Sequence, residues 1–288
     1  MNVTVGALLD EAARELAAMI GPVEARREAQ ILFGKIMGVS RAWCSAHRDD
    51  DCAPGAAQTL RALVGRRKAG EPVAYLLGSR EFYGLEFRVT PAVLIPRADS
   101  ETLVEAALEK LAPDRAADVL DLGTGSGCIA IAIAHERPAA RVTAVDVSAP
   151  ALNVARENAV ARGVDIDLMQ ATWFQGLAGR QFDLIVSNPP YVAAADPHLQ
   201  QGDLRFEPKT ALVSGEDGLA DLRTIIARAP GYLRDGGWLL VEHGFDQAVV
   251  CRDFLLDAGF GELLIRADIA GSPRVAGGRL LTRKSPNR

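Results

Sequence analysis

From about residue 100 onward, short unbroken apolar runs alternate with helical stretches, and this rhythm restricts the fold more than any other feature of the chain. The order is helix 100–111, strand "ADVLDLG", helix "CIAIAIAHE", strand "RVTAVDVS" and helix "PALNVARENAVAR". Strands "DIDLMQA" and "FDLIVSN" follow, then a helix near 217–229, strand "GWLLVEHG", a helix over 246–258, and two last strands near 261–268 and 278–283. Strands that read as apolar throughout are buried on both faces, and helices between them supply parallel crossovers. The pattern predicts an α/β, doubly wound, mostly parallel sheet of seven strands.

The first 75 residues lack this rhythm and read as helices only. Val5, Leu8, Leu9, Ala12, Leu16, Met19 and Ile20 recur at helical spacing, with Thr4 as N-cap. Gly21-Pro22 ends that helix and opens the next, Gly38 stops the second, a short third follows Ser40, and a fourth closes at Gly70. Short helices with short loops predict a small bundle whose arginines lie on solvated faces. In between, "EFYGLEFRV" reads as a hairpin around Gly84, and Pro91 and Pro96 break regularity after it. The expected organisation is a helical bundle over 1–75, a β-hairpin connector over 76–98, and an α/β domain over 99–288, with Asp99 or Ser100 capping its first helix.

The charge balance argues against nucleic acid as the partner. Of 32 basic and 37 acidic residues, 10 basic and 9 acidic fall within the first 75. Neither part carries the positive excess of a general nucleic-acid binder. Cys44, Cys52, Cys128 and Cys251 show no metal-ligand spacing and read as reduced thiols, so no metal is expected and the cytoplasm is the expected location. The amphipathic, acid-bearing N-terminus is no secretory signal, and no apolar run has membrane-spanning length.

Two stretches carry chemistry. "DLGTGSG", 121–127, joins a buried strand to a helix, and Gly123, Gly125 and Gly127, with Thr124 and Ser126 between them, allow a tight turn and close approach of a ligand. Its spacing is G-x-G-x-G rather than G-x-G-x-x-G, which favours S-adenosylmethionine over NAD. Asp146 ends the next strand, 19 residues after Gly127, where an acid can accept both ribose hydroxyls of a nucleoside. Trp173 follows the third strand and can cover an adenine face. The second stretch is "SNPPYV", 187–192. Its prolines must end a strand. They do not account for the amide before them or the ring after them. Asn188 offers an acceptor oxygen, the Pro189 carbonyl is a second acceptor, Pro190 stiffens the turn, and Tyr191 can stack on a planar group. Together these residues suit an NH₂ group held beside a methyl donor.

The combination "EFYGLEF…PAVLIPRADSE", "DLGTGSG", "AVD", "SNPPYV", "DPHLQQGDLRFEP", "AL" and "EHG" resembles the protein-(glutamine-N5) methyltransferases that act on release factors, the PrmC/HemK family. The likeness covers roughly residues 65 to 283, and the bundle before it agrees with that family's helical N-terminal domain. It implies a Rossmann-like, seven-stranded methyltransferase sheet and the cofactor S-adenosyl-L-methionine, leaving as S-adenosyl-L-homocysteine. It further implies methylation of the glutamine in the Gly-Gly-Gln tripeptide of class-1 peptide-chain release factors. The bundle's separation from a complete catalytic fold makes it the expected element for recognising the protein substrate. By the same resemblance, residues 123–127, Asp146, Trp173 and Asn188 contact the cofactor, and 188–191 hold the glutamine. Ala98 stands where the family often has Pro, and Thr172 where related enzymes often have Asp. The long loop 192–216 reads as a lid or protein-recognition loop. Two other readings remain. An adenine-N6 methyltransferase of DNA calls for a basic groove that the charge balance does not supply. A non-catalytic S-adenosylmethionine-binding module has no use for the amine holder.

Overall fold

A computed structural model describes residues 3–281 of the chain. They form two compact units: one runs to Ser79 and takes in His198–Phe206, and the other comprises Arg80–Pro197 and the chain from Glu207 onward.

The first unit is helical: α1 (Val5–Ile20), α2 (Pro22–Met37), α3 (Arg41–Ala46), α4 (Pro54–Lys68) and α5 (Val73–Leu77). The caps follow from the sequence. Thr4 Oγ1 accepts from Ala7 N at 3.3 Å, Ser40 Oγ accepts from Trp43 N at 3.1 Å, and Gly38 turns left-handed to close α2. Leu8, Leu16, Leu32, Phe33 and Leu60 fill the core. One arginine departs from the expected solvated face. Arg67 is buried and grips Glu28 through both carboxylate oxygens, at 2.8 and 3.1 Å, and it also reaches Asp203 at 3.4 Å. Helix α5 was not legible, because five residues after a proline show no period.

The second unit opens with a hairpin, β1 (Ser79–Phe82) and β2 (Leu85–Arg88). Its two turn residues, Tyr83 and Gly84, both have positive φ, which matches the right-handed strand twist. Phe82 and Phe87 sink into the same apolar cluster as the helices beside the main sheet. That sheet is built from β3 (Asp118–Leu122), β4 (Arg141–Asp146), β5 (Asp167–Gln170), β6 (Phe182–Ser187), β7 (Leu233–Glu242), β8 (Phe260–Ala267) and β9 (Pro273–Leu280). The spatial order is β5-β4-β3-β6-β7-β9-β8; β9 runs antiparallel to both its neighbours, and the remaining ladders are parallel. Helices α6 (Glu101–Lys110), α7 (Cys128–Glu136), α8 (Ala149–Arg162), α9 (Ala220–Arg228) and α10 (Ala248–Asp257) complete the unit.

Both sheet faces are covered, as unbroken apolar strands require. Val119, Ala144, Leu184 and Leu240 belong to one cluster, while their chain neighbours Leu120, Val145, Ile185, Leu239 and Val241 belong to the other. The last strand lies earlier than the expected 278–283, and residues 282 and 283 are outside the described residues. Gly277 and Gly278 explain the misplacement. They look like breakers, yet a Cβ on Gly277 would stand 2.6 Å from Leu239 O and one on Gly278 2.8 Å from Phe260 Cβ. Close packing of β9 against its neighbours demands these two glycines. The chain leaves β3 toward β4 and β5, then returns to the other side of β3 as β6. The crevice beyond the carboxyl ends of β3 and β6 is the topological switch point, where doubly wound sheets bind ligands.

Candidate active site

Both motifs fall at that crevice. The loop 123–127 joins β3 to α7, and residues 188–191 follow β6 directly. Gly123, Gly125 and Gly127 all have positive φ, at 76°, 55° and 82°. Their surroundings differ. A Cβ on Gly127 would press on Ile131 at 2.9 Å and Ala155 at 3.1 Å, so this glycine lets α7 pack. A Cβ on Gly125 would meet no protein atom within 4 Å, because that face of the loop opens into the cleft. The loop is held from behind. Gly123 N and Thr124 N both donate to Val145 O, and the buried Asn158 on α8 donates to Ser126 O at 2.8 Å and to Arg88 O at 3.0 Å. Asn158 escaped the sequence reading. Its only signal is an amide on the inward face of "VARENAV".

The cleft has a cavity volume of about 270 Å³. Gly123, Thr124, Gly125, Ser126, Asp146, Trp173 and Asn188 all line it, as do Pro190 and Thr172, whereas Gly127, Pro189 and Tyr191 do not. Asp146 Oδ2 accepts from Gly125 N at 2.9 Å and Oδ1 from Ser148 N at 2.8 Å. Each carboxylate oxygen has a further lone pair. These bonds therefore fix the group's direction and leave acceptor capacity toward the cavity. Ser148 also caps α8, accepting from Ala151 N at 3.2 Å. Trp173 has φ 51°, a left-handed conformation unusual for a bulky residue, and its ring lies against Gly123. Such strain persists only where the surroundings impose it. Here it turns the indole onto the rim of the cleft.

Loop 192–216 contains short 3₁₀ turns at Pro197–Gln200, Leu204–Phe206 and Lys209–Ala211. Pro208, Thr210 and Ala211 return to line the cleft. Glu207 secures that return: it is buried, accepts from Ile95 N at 3.3 Å, and pairs with Arg97. Thus "RFEP" closes on "IPRA" across 110 residues of chain.

Asn188 Nδ2 donates to Ser100 Oγ at 3.0 Å. Ser100 was an expected helix cap, yet it makes no cap bond; its residue ends a 3₁₀ turn, Ala98–Ser100, and its hydroxyl serves Asn188 instead. Tyr191 OH donates to Glu242 Oε1 at 3.2 Å, and its ring packs on the second apolar cluster. Burial, then the neighbouring Glu242 charge, raises the Tyr191 hydroxyl above its ordinary value. Glu242 itself is buried at the end of β7. It and Ser100 were missed as functional candidates, although both stand inside stretches quoted for the resemblance.

Two buried carboxyls give the folded chain a pH signature. Burial pushes Asp121 up to about 7 against the Thr124 hydroxyl that donates to it, and burial likewise pushes Glu242 up to about 7. Between the ordinary carboxylate range and that value, the fold holds two protons that the unfolded chain has released. Stability therefore falls as pH rises through this window. His243 acts oppositely with one proton, because burial lowers its value. Asp118 beside Arg141 and Asp268 under the Ser272 N–H are held low and titrate below the window. The net expectation, without cofactor, is a higher urea midpoint at about pH 5.5 than at about pH 7.5. A midpoint that rises instead would mean both carboxyls are ionised in the fold.

Among the described residues, no helix is long and apolar enough to cross a membrane, and the four cysteines are buried and free. The glycine loop open at Gly125, the carboxylate aimed at the cleft and the flanking indole suit a nucleoside-bearing cofactor. Fold and cleft define a class: a methyltransferase dependent on S-adenosylmethionine. Residues 98–204 match the methyltransferase small domain, and residues 7–78 match the PrmC N-terminal domain. Among solved structures, the backbone resembles a methyltransferase from Pyrococcus furiosus (TM-score 0.53, 16% identity, covering 77% of this chain and 98% of that one). It also resembles a 16S rRNA N2 G1207 methyltransferase from T. thermophilus (TM-score 0.53, 21% identity, covering 70% and 49%). At these identities the likeness is one of fold.

Sequence relatives are far nearer. The chain is 50% identical to the release factor glutamine methyltransferase of Xylella fastidiosa strain 9a5c, over 88% of this chain and 93% of that one. It is 45% identical to the one from Vibrio cholerae, over 99% of both, and 44% identical to the one from Escherichia coli K12, over 94% and 97%. The chain belongs to the release factor glutamine methyltransferase family.

Proposed function

We propose that this enzyme methylates the side-chain amide nitrogen of the glutamine in the Gly-Gly-Gln tripeptide of class-1 release factors. The observation that carries this reading is the Asn188 amide. It lines the same cleft as the glycine loop, and it spends its NH₂ on Ser100. Its oxygen is left to accept. A glutamine amide presents two N–H bonds; the Asn188 oxygen would accept one and the carbonyl of the next residue, Pro189, the other, although the Pro189 side chain does not line the cleft.

The bound cofactor supplies an electrophilic methyl group on a sulfonium. The glutamine nitrogen is a poor nucleophile, because its lone pair is delocalised into the carbonyl. Asn188 and Pro189 hold both N–H bonds and stabilise the positive charge that grows on nitrogen as the N–C bond forms. They also align the lone pair for an in-line displacement. Asp146 and the loop 123–127 bind and orient the nucleoside end, and Trp173 covers it. No dedicated base is needed, since the amide proton leaves to solvent after transfer. The helical bundle serves to recognise the protein substrate, and the partner is a translation factor in the cytoplasm.

The test is a radiolabelled methyl-transfer assay offering release factor and DNA to the full chain. Label should enter release factor and be lost when its Gly-Gly-Gln glutamine is replaced. Label in DNA alone would reject the reading. A chain lacking residues 1–75 should modify whole release factor more slowly while still binding S-adenosylhomocysteine; unchanged rates would give the bundle another role.

A further inference from the structure

We propose that Phe245 and Ile269 form an apolar docking rim beside the acceptor site, against which the folded release factor seats while its glutamine enters the cleft. The inference rests on the release-factor reading above. Single exposed apolar side chains are common on protein surfaces and carry no message by themselves. These two differ in how they are held and in what holds them.

Phe245 is 69% exposed and Ile269 100%. Both stand on short turns at the carboxyl end of β7, the end that carries the site. Ser187, just before Asn188, pairs with Val241 on β7, and Val241 pairs with Ala276 on β9. The turn after β7 and the turn before β9 therefore leave the sheet side by side, joined where His243 N donates to Arg274 O at 3.0 Å. Phe245 lies in the first turn and Ile269 in the second.

Each turn is braced, and each brace reaches the acceptor segment. Around Phe245, Gly244 N donates to Gln247 Oε1 at 2.9 Å, and Gln247 N donates to Gly244 O at 3.0 Å. The same Gln247 side chain donates through Nε2 to Tyr191 O at 3.0 Å, so this turn hangs on the last residue of "NPPY". Around Ile269, Asp268 N donates to Ser272 O, and Ser272 N donates back to Asp268 Oδ1, both at 2.9 Å. Arg274 grips Asp268 at 3.2 Å and Asp99 at 3.3 Å. Asp99 precedes Ser100, whose hydroxyl receives the Asn188 amide. The backbone under both side chains is thus already ordered, and burying them against a partner demands little further loss of freedom. The acceptor is one residue of a folded protein. The surface flanking its glutamine must pass over whatever borders the cleft on the acceptor side, and Phe245 and Ile269 are apolar groups placed there. The occupant is therefore the release factor itself, through apolar side chains flanking the Gly-Gly-Gln tripeptide.

Phe245→Ser and Ile269→Ser test this in the full chain. Each should raise KM for whole release factor about tenfold, the usual loss on truncating an apolar anchor, with turnover at saturation within about twofold of wild type. S-adenosylhomocysteine should bind both variants as it binds wild type. Phe245→Leu and Ile269→Leu, which restore apolar bulk, should recover most of the lost affinity. Val160→Ser is the control. Val160 is 77% exposed near the end of α8, which runs back from the carboxyl end of β4 to the start of β5, so it lies at the opposite end of the sheet. Its replacement should leave KM unchanged. Wild-type KM in both serine variants overturns the proposal, as does a rise shared by Val160→Ser or a loss confined to turnover. A shift from dimer to monomer in the serine variants, read by analytical ultracentrifugation, would also overturn it, making the rim a contact between copies of this chain. If wild type puts no methyl group on release factor, the reading beneath the proposal fails instead.

Discussion

Asn188→Ala is expected to lower turnover on release factor about 10²–10³-fold, the usual cost of removing one preorganised polar partner of a developing charge. Cofactor affinity should change much less, because Asp146 and the loop 123–127 are untouched. The fold should lose about 1 kcal/mol, since the Ser100 oxygen loses its donor. Asn188→Asp sharpens the result. A carboxylate keeps an acceptor toward the glutamine but gives Ser100 no donor, so activity should lie between alanine and wild type. Single-turnover methylation and S-adenosylhomocysteine titration, run on each variant, separate the two effects. Normal turnover by a folded Asn188→Ala would reduce the double proline to a strand terminator.

Asp146→Ala should act on the other half of the site. Two hydroxyl bonds to a charged acceptor are lost, each worth about 1.5–3 kcal/mol, so S-adenosylhomocysteine should bind about 10²-fold more weakly or worse. A thermal-shift experiment shows this directly. Ligand at a hundredfold its dissociation constant stabilises wild type by about 2.7 kcal/mol, and the same concentration would stabilise the variant by about 0.4 kcal/mol. Asp146 also accepts from Gly125 N and Ser148 N, so the loop should loosen as well. NAD should produce no shift in either protein. Wild-type affinity in Asp146→Ala would remove the carboxylate from the nucleoside site.

The alternating part of the chain was legible because its physics is local. Buried parallel strands must be apolar throughout, and the glycine turn and the double proline punctuate them at fixed places. The residues that support the site were not legible, for an equally physical reason. Asn158, Glu207, Ser100 and Glu242 act on partners far along the chain, and an amide or acid in a helix or at a strand end looks locally like surface. Ser100 even offered a better local role, as a cap, which tertiary structure overrode. The reading of Arg67 failed similarly, since Glu28 is 39 residues away. Helix α5 and the exact place of β9 were hidden by short length and by paired glycines whose neighbours the sequence does not name.

The two halves of the cleft also close at different points in the synthesis of the chain. Gly125 and Asp146, on the nucleoside side, are 21 residues apart. Asn188 and Ser100 are separated by 88 residues, and Tyr191 and Glu242 by 51, with Glu242 on β7. Loop-closure entropy must be met before such distant pairs form. A growing chain that stops before β7 can own every residue of the glycine loop and of "NPPY" and still lack the carboxylate that receives Tyr191 OH. The Tyr191 end of that segment therefore meets its buried partner only once β7 has been made.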